Sequence, residues 1–459
     1  MNLRYTCTAL LLSAAPVSFA AAQDVPLYCD AMADPEAYAL FSDQAPFHID
    51  TESGFVITKL DLQTDYALQN DALEILKLLN ENIMEREGVL ALVIPPSRSF
   101  ALEQDSFDTM MPTPAPYSIQ SAFNNFSEAI NNLKRNGIFA PDLGVIVRNN
   151  SEIRNDFFLS GDNHWSPSGA LTAFTALANL LEENGIALGD TQYDLVGFDE
   201  VSQVGAYNRV IASVCNADPS SILFEAPIFE RSETASTDLA DILFSDSEVN
   251  SDRVVLVGTS FSNGGGTDVF RAGDSLAFST RYSVSNFGVG GGSQTSSIES
   301  YLFLKSEREA TSMLIWELPH YQFRALSRSS LSQIYGAALS ACSPGPFTLN
   351  AQSALDNEWG DIEFSGLFLQ DLLELSIPDM KTGVIQIEAT YADDTRFTYE
   401  LRRNDRVAED RRPQTWRLFL SDPLAAPFSD TQNPVKLRIR APDLTTPVQM
   451  HASACSSQL

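Results

Sequence analysis

The sequence predicts a doubly wound α/β fold with a parallel sheet, followed by a C-terminal all-β sandwich. Over most of the chain, short apolar runs bounded by turn residues alternate with helical patterns, the signature of a parallel sheet covered by helices. Beyond Ser343-Pro344-Gly345-Pro346 the helical patterns stop, and strand-length runs separated by turns take over. Length agrees: 459 residues exceed one ordinary core and fit two domains, and 44% apolar residues is the content of a folded globule.

The N-terminus reads as a secretory signal over residues 1–22, with Arg4, an apolar stretch from Ala9 to Ala15, and Ala20-Ala21-Ala22 before Gln23. That stretch is too short to span a bilayer, and no later run approaches about 20 apolar residues, so an exported, periplasmic protein is expected. Residues 28–60 carry few periodic signals. From Asp65 to Glu87, Leu73, Leu76, Leu79 and Ile83 share a helical face, and Val89 to Ile94 then reads as a buried strand closed by Pro95-Pro96. Tyr117 to Arg135 repeats the helix, Asn136-Gly137 ends it, and Leu143 to Val147 is the next expected strand. Ser166-Pro167 opens a third helix running to Asn184, with serine at the N-cap and proline at the first helical position. Residues 186–250, mixed and rich in Asp and Ser, are expected to leave the core as an insertion.

The run Val254-Val255-Leu256-Val257 stops abruptly at Gly258-Thr259-Ser260. It places a hydroxyl at the C-terminal end of a buried strand, where open α/β sheets hold ligands. Tyr282 to Phe287 and Met313 to Trp316 complete five strands, with a helix from Ser296 to Glu309 between them. Domain limits of 23–342 and 343–459 follow. In the second, strands are expected at Ile362 to Ile377, Gly383 to Tyr391, Arg396 to Leu401, Thr415 to Leu420 and Val435 to Ile439.

Charge and cysteine usage narrow the function. A net charge of −31 argues against nucleic acid and anionic membranes as partners. Beyond Cys7 in the signal there are four cysteines, an even count that suits two disulfides in an oxidising compartment. Three pairings are possible; the one that respects the domains joins Cys29 to Cys215 and Cys342 to Cys455. No CxxC pair is present, so no metal site is expected, and the glycine-rich segment 288–293 comes too late for a dinucleotide fingerprint, so no cofactor is expected either.

A serine becomes a nucleophile only with a base in reach. Four histidines are available, and His164 stands out because Asp162 lies two residues before it, in position to orient an imidazole. The segment Asn286-Phe287-Gly288-Val289-Gly290-Gly291-Gly292, between an expected strand and a helix, can present N–H groups to an oxyanion. Strand-Gly-x-Ser, Asn-x-Gly-x-x-Gly and Asp-x-His together form the toolkit of SGNH hydrolase-like enzymes. Phe157-Phe158 leading to Asp162-Asn163-His164-Trp165-Ser166-Pro167-Ser168-Gly169-Ala170, then Leu256 to Ser262, then Ile315-Trp316-Glu317-Leu318-Pro319, resembles the alginate O-acetyltransferase family of AlgX and AlgJ. The likeness spans roughly residues 28 to 340, and the following β domain resembles the carbohydrate-binding module of the AlgX branch.

The resemblance implies that Ser260 is the nucleophile, His164 the general base and Asp162 its orienter, with an acetyl-serine intermediate resolved by a sugar hydroxyl. Oxyanion donors would be the N–H groups of Ser260 and Gly291, with Asn286 heading the same turn. SGNH hydrolases add an asparagine after the next strand; this chain has Glu317-Leu318-Pro319-His320-Tyr321, where Tyr321 and His320 are expected to border the acceptor. The β domain is locally basic, and Arg396, Arg402, Arg403 and Arg417 are expected to hold an anionic glycan, with Trp416 and Tyr399 as stacking surfaces, unless these arginines pair across strands with Asp405, Glu409 and Asp410.

The implied function is periplasmic acetylation of an exopolysaccharide, alginate or alginate-like, by a monomer that receives acetyl through a membrane-bound O-acyltransferase and works beside other polymer export proteins. The same residues also admit a carbohydrate acetylesterase or a non-catalytic polysaccharide-binding protein. A charge of −31 sits awkwardly with a polyuronate, and the basic face is the feature able to offset it locally.

Overall fold

The fold comes from a computed structural model, which describes residues 29–50, 52–111, 117–232, 253–263, 269–304, 311–342, 348–364, 371–378, 380–413, 415–425 and 433–456. The expected signal at 1–22 lies outside the described residues, as do residues 233–250 of the expected insertion.

β1 (Phe47–Ile49) and β2 (Val56–Thr58) form an antiparallel hairpin ahead of β3 (Val89–Val93). β4 (Tyr193–Val204) and β5 (Ser221–Arg231) form a separate antiparallel ribbon joined through the helix Ala206–Cys215. β6 (Arg253–Val257), β7 (Val284–Asn286) and β8 (Thr311–Glu317) complete a parallel sheet in the order β3-β8-β6-β7. Val254 to Val257, Leu90 to Val93 and Ile315-Trp316 have no exposed surface, as expected of strands covered on both faces. The helices Pro167–Glu183 and Ala272–Thr280 pack as one pair, and Asn70–Met84 and Arg328–Ala338 as another.

Eight further strands follow: β9 (Leu349–Leu355), β10 (Gly360–Ile362), β11 (Leu372–Ser376), β12 (Gly383–Tyr391), β13 (Arg396–Arg403), β14 (Thr415–Phe419), β15 (Pro434–Arg440) and β16 (Val448–Cys455). They make two four-stranded antiparallel sheets, β10-β15-β12-β13 and β14-β11-β16-β9, that share one core including Leu375, Ile387, Leu401, Trp416, Ile439 and Met450. This is a sandwich. Leu372, Phe419 and Cys455 instead join the core of the α/β part, so the second sheet is packed on both faces.

Three expectations change. Leu143–Asn149 is a helix, not a strand, because the Asp142 side chain caps it by accepting the Val145 N–H at 3.0 Å. The fifth strand place is taken by Phe139 alone, which bridges Ala91 in parallel and accepts the Leu92 N–H at 2.8 Å. The run Ile362 to Ile377 divides into β10 and β11, which belong to different sheets, with residues 365–370 outside the described residues. β9 and β16 were not expected from the sequence. Disulfides join Cys29 to Cys215 and Cys342 to Cys455. Among the described residues no helix is long and apolar enough to cross a membrane.

Candidate active site

Each part of the site stands at the C-terminal edge of the parallel sheet, because each loop leaves a strand or is held beside one. β6 is an interior strand, and it releases the chain at Gly258 into the turn that carries Ser260. The Ser262 and Asn263 N–H groups both donate to the Thr259 carbonyl, at 3.1 Å each, which makes the turn tight. Among the described residues the Ser260 N–H has no intramolecular acceptor, so it is available to an oxyanion.

His164 arrives on a second loop. Ser166 N–H donates to the Phe157 carbonyl and Leu159 N–H to the His164 carbonyl, so residues 157–166 fold back as a narrow hairpin. The Trp165 indole N–H, wholly buried, donates to the Phe261 carbonyl at 2.9 Å and ties this hairpin to the nucleophile turn. Ser166 then caps the helix Pro167–Glu183 by accepting the Gly169 N–H at 2.9 Å.

The result is a linear array. His164 Nε2 lies 2.7 Å from Ser260 Oγ, and Nδ1 contacts Asp162 Oδ1. Asp162 also accepts the His164 N–H at 3.0 Å and, through Oδ2, the Ala206 N–H at 2.6 Å. Burial pushes the Asp162 carboxyl up, but the His164 ring and these N–H donors outweigh it and hold the group below its ordinary value. An ionised carboxylate only accepts, so Nδ1 carries the proton and Nε2 is the acceptor for the serine hydroxyl. Phe270 stacks on the imidazole at 4.8 Å and Phe261 meets it edge-on at 4.9 Å, which leaves the His164 side chain 12% exposed.

The other expected site residues fare differently. Asn286 donates one amide N–H to the Ser262 carbonyl at 2.8 Å and accepts the Gly288 N–H at 2.8 Å, so it braces the turn with one of its two N–H donors. Gly291, at φ +72°, faces Arg406, whose Nε lies 3.5 Å from where a Cβ would stand. His320 is 4% exposed with Nε2 on the Leu60 carbonyl at 3.1 Å, and burial lowers its pKa; it is a neutral packing residue rather than an acceptor contact. Tyr321 is partly exposed and lies between Glu317 and Asn163; burial and the Glu317 charge raise its phenol, while a hydrogen bond with the Asn163 side chain opposes them.

The basic residues of the sandwich divide by strand face. Arg403 is buried, donates to Glu299 Oε1 at 2.7 Å, and lies over Trp416 at 4.2 Å. Arg417 pairs across strands with Glu374 at 2.7 Å and donates to the Leu339 carbonyl. Trp416 and Tyr399 have no exposed surface and so offer no stacking face to a sugar, because both point into the core shared by the two sheets. Arg402 is exposed and pairs with Glu400 at 2.6 Å. Arg396 lines an open cleft on β10-β15-β12-β13 with Trp359, Asp361, Glu388, Lys436 and Arg438, and Arg438 and Arg440 stand over the Trp359 ring at 5.5 and 4.7 Å. Trp359 escaped sequence reasoning because it precedes a three-residue strand with no alternating pattern to orient it.

Sequence reasoning also missed the group beneath the nucleophile turn. Glu317 ends β8 with no exposed surface, and its Oε2 accepts the Thr259 N–H at 2.8 Å and the Thr259 and Ser262 hydroxyls at 3.0 Å each. Its signal was an acid closing an otherwise apolar strand.

Comparison with known proteins agrees with this geometry. The family model described as SGNH hydrolase-like domain, acetyltransferase AlgX, matches residues 55–320. The alginate biosynthesis protein AlgX of Pseudomonas aeruginosa is 23% identical over 396 residues, covering 81% of this chain and 78% of the relative. The probable alginate O-acetylase AlgJ of Pseudomonas putida is 25% identical over 259 residues, covering 55% of this chain and 63% of that relative. The solved structure of Pseudomonas aeruginosa AlgX superposes with a TM-score of 0.68 at 18% identity, over 94% of this chain and 99% of that one, so the sandwich is included in the shared fold. On the family match, which spans more than half its length, the chain belongs to the SGNH hydrolase-like acetyltransferases of the AlgX family.

Proposed function

We propose that this protein is a periplasmic O-acetyltransferase that places acetyl on hydroxyls of an exopolysaccharide, alginate or alginate-like, through an acetyl-Ser260 intermediate. The observation that carries the reading is the array Ser260 Oγ, His164 Nε2, His164 Nδ1, Asp162. Ser260 Oγ attacks the acetyl carbonyl while its proton passes to His164 Nε2, and the donor's leaving group departs with that proton. The Ser260 N–H meets the oxyanion. A sugar hydroxyl then gives its proton to His164 and attacks the acetyl carbon, and Ser260 recovers the proton as it leaves. Phe261 and Phe270 around His164 support transfer over hydrolysis, since they keep bulk water from the base.

The name of the relatives supports alginate as the polymer, and the two disulfides support an oxidising compartment. In this reading residues 23–342 catalyse and 343–459 hold the glycan. The open β10-β15-β12-β13 face, with Arg396, Arg402 and Trp359, receives it, Tyr321 borders the acceptor, and a membrane-bound O-acyltransferase supplies acetyl.

Ser260→Ala tests the mechanism: acetate release from 4-nitrophenyl acetate is expected to fall by at least about 10³-fold. Undiminished turnover sinks it. Mass spectrometry of an oligomannuronate incubated with enzyme and ester distinguishes acetylated sugar, the expected product, from free acetate alone.

A further inference from the structure

Glu317 is a carboxylate at the end of an apolar strand, and among the described residues no cation pairs with it. A buried acid is costly unless its oxygens are satisfied. Here they are satisfied by the nucleophile turn alone: Thr259 donates its N–H and hydroxyl, and Ser262 its hydroxyl. These residues flank Ser260 at one position before and two after. Gly258 is cut to fit, because a Cβ there would stand 2.6 Å from Glu317 Oε2 and 2.5 Å from Ser262 Oγ.

We propose that Glu317 is a positioning residue of the acyl-transfer site: its carboxylate grips Thr259 and Ser262 from beneath and so fixes the Ser260 N–H and Oγ relative to His164. The inference rests on Ser260 being the nucleophile. Because three donors converge on it, the ionised form holds the turn and the protonated form releases one donor. Burial pushes this carboxyl up to about 7, with the Thr259 and Ser262 hydrogen bonds opposing, so the grip is lost within an accessible pH range. Tyr321 is the titratable group facing it. The turn 258–263 contributes no titratable group, its β3 neighbour is Val93, and His320 is turned to the Leu60 carbonyl.

The test compares purified wild type, Glu317→Gln, Glu317→Ala and Ser260→Ala. Three readouts serve: the rate of capture by phenylmethylsulfonyl fluoride, kcat/KM for 4-nitrophenyl acetate between about pH 5 and 9, and thermal unfolding. Glu317→Ala is expected to be captured and to turn over about 100-fold more slowly, with KM within about two-fold. Glu317→Gln, which keeps an oxygen for the donors, is expected to recover to within about ten-fold of wild type. The decline in kcat/KM that wild type shows as pH falls through about 7, where Glu317 protonates and releases the turn, should be shallower in Glu317→Gln. Capture lost in Ser260→Ala but unchanged in folded Glu317→Ala overturns the Glu317 role alone. If Glu317→Ala does not fold, a decline through about pH 7 that persists unchanged in Glu317→Gln overturns it. Capture that persists in Ser260→Ala overturns the nucleophile reading and this inference with it.

Discussion

Asp162 divides its carboxylate between two loops, one oxygen on His164 and the other on the Ala206 N–H at the head of the helix Ala206–Cys215. Charge and shape can therefore be separated. Asp162→Asn keeps the shape but can present an N–H to His164 and so favours the wrong tautomer. Hydrolysis of 4-nitrophenyl acetate is expected to fall by about 10³- to 10⁴-fold while the thermal midpoint moves little. A decrease under about ten-fold would show that the imidazole does not need this orientation. These residues were legible because the sequence holds four histidines and one of them has an aspartate two places ahead. Phe270 and Glu317 were not legible, since nothing in a lone aromatic or a strand-end acid says what it will face after folding. Trp416 and Tyr399 show the converse error. On β13 the buried positions Tyr399, Leu401 and Arg403 share one parity and the exposed Arg396, Thr398 and Arg402 the other, so alternation would have placed Tyr399 and Arg403 inward.

The helix Pro167–Glu183 begins two residues after Trp165 and anchors the far end of the histidine hairpin. Its N-cap Ser166 accepts the Gly169 N–H and donates to the Asp156 carbonyl. Ser166→Ala is expected to cost about 1 kcal/mol in urea denaturation. A null change would mean the Ser166 hydroxyl adds nothing to the backbone hydrogen bonds and the Trp165 tie that already hold the hairpin. This helix was readable because its start carried two independent signals, the N-cap serine and the first-turn proline. Leu143 to Val147 failed for the opposite reason, since a short apolar run fits a buried strand or a buried helix equally well and only the Asp142 cap tells them apart. β9 and β16 were invisible because Asn350, Ala351, Gln352, Ser353, Ala452, Ser453 and Ala454 carry little β propensity; pairing with neighbouring strands, not local preference, makes them extended.

Across the whole molecule, the α/β part and the sandwich are joined by charge as well as apolar packing. Arg403 and Glu299 are 5% and 2% exposed, and Arg403 also donates to the Pro413 and Thr415 carbonyls. Removing one partner leaves a buried charge uncompensated. Glu299→Ala is therefore expected to lower stability by about 3–5 kcal/mol, read as a shifted urea midpoint. A change under about 1 kcal/mol would show that water reaches Arg403. The same pair explains why the basic stretch read from sequence is smaller in space than in the chain: Arg403 and Arg417 are spent on neutralising acids, and the surface available to an anionic polymer is what remains.

The position of β16 inside its sheet has a consequence for how the chain is made. Among the described residues β9 pairs with no strand except β16, and their register joins Leu349 to Ala454. During synthesis from the N-terminus, β9 emerges long before β16. Until Val448–Cys455 arrives, both β9 and β11 present unpaired backbone edges, the kind of surface that recruits other chains. Assembly of this sheet is thus a late, non-local event, slow by its contact order and dependent on the nascent chain being kept apart from its neighbours until the last strand closes it.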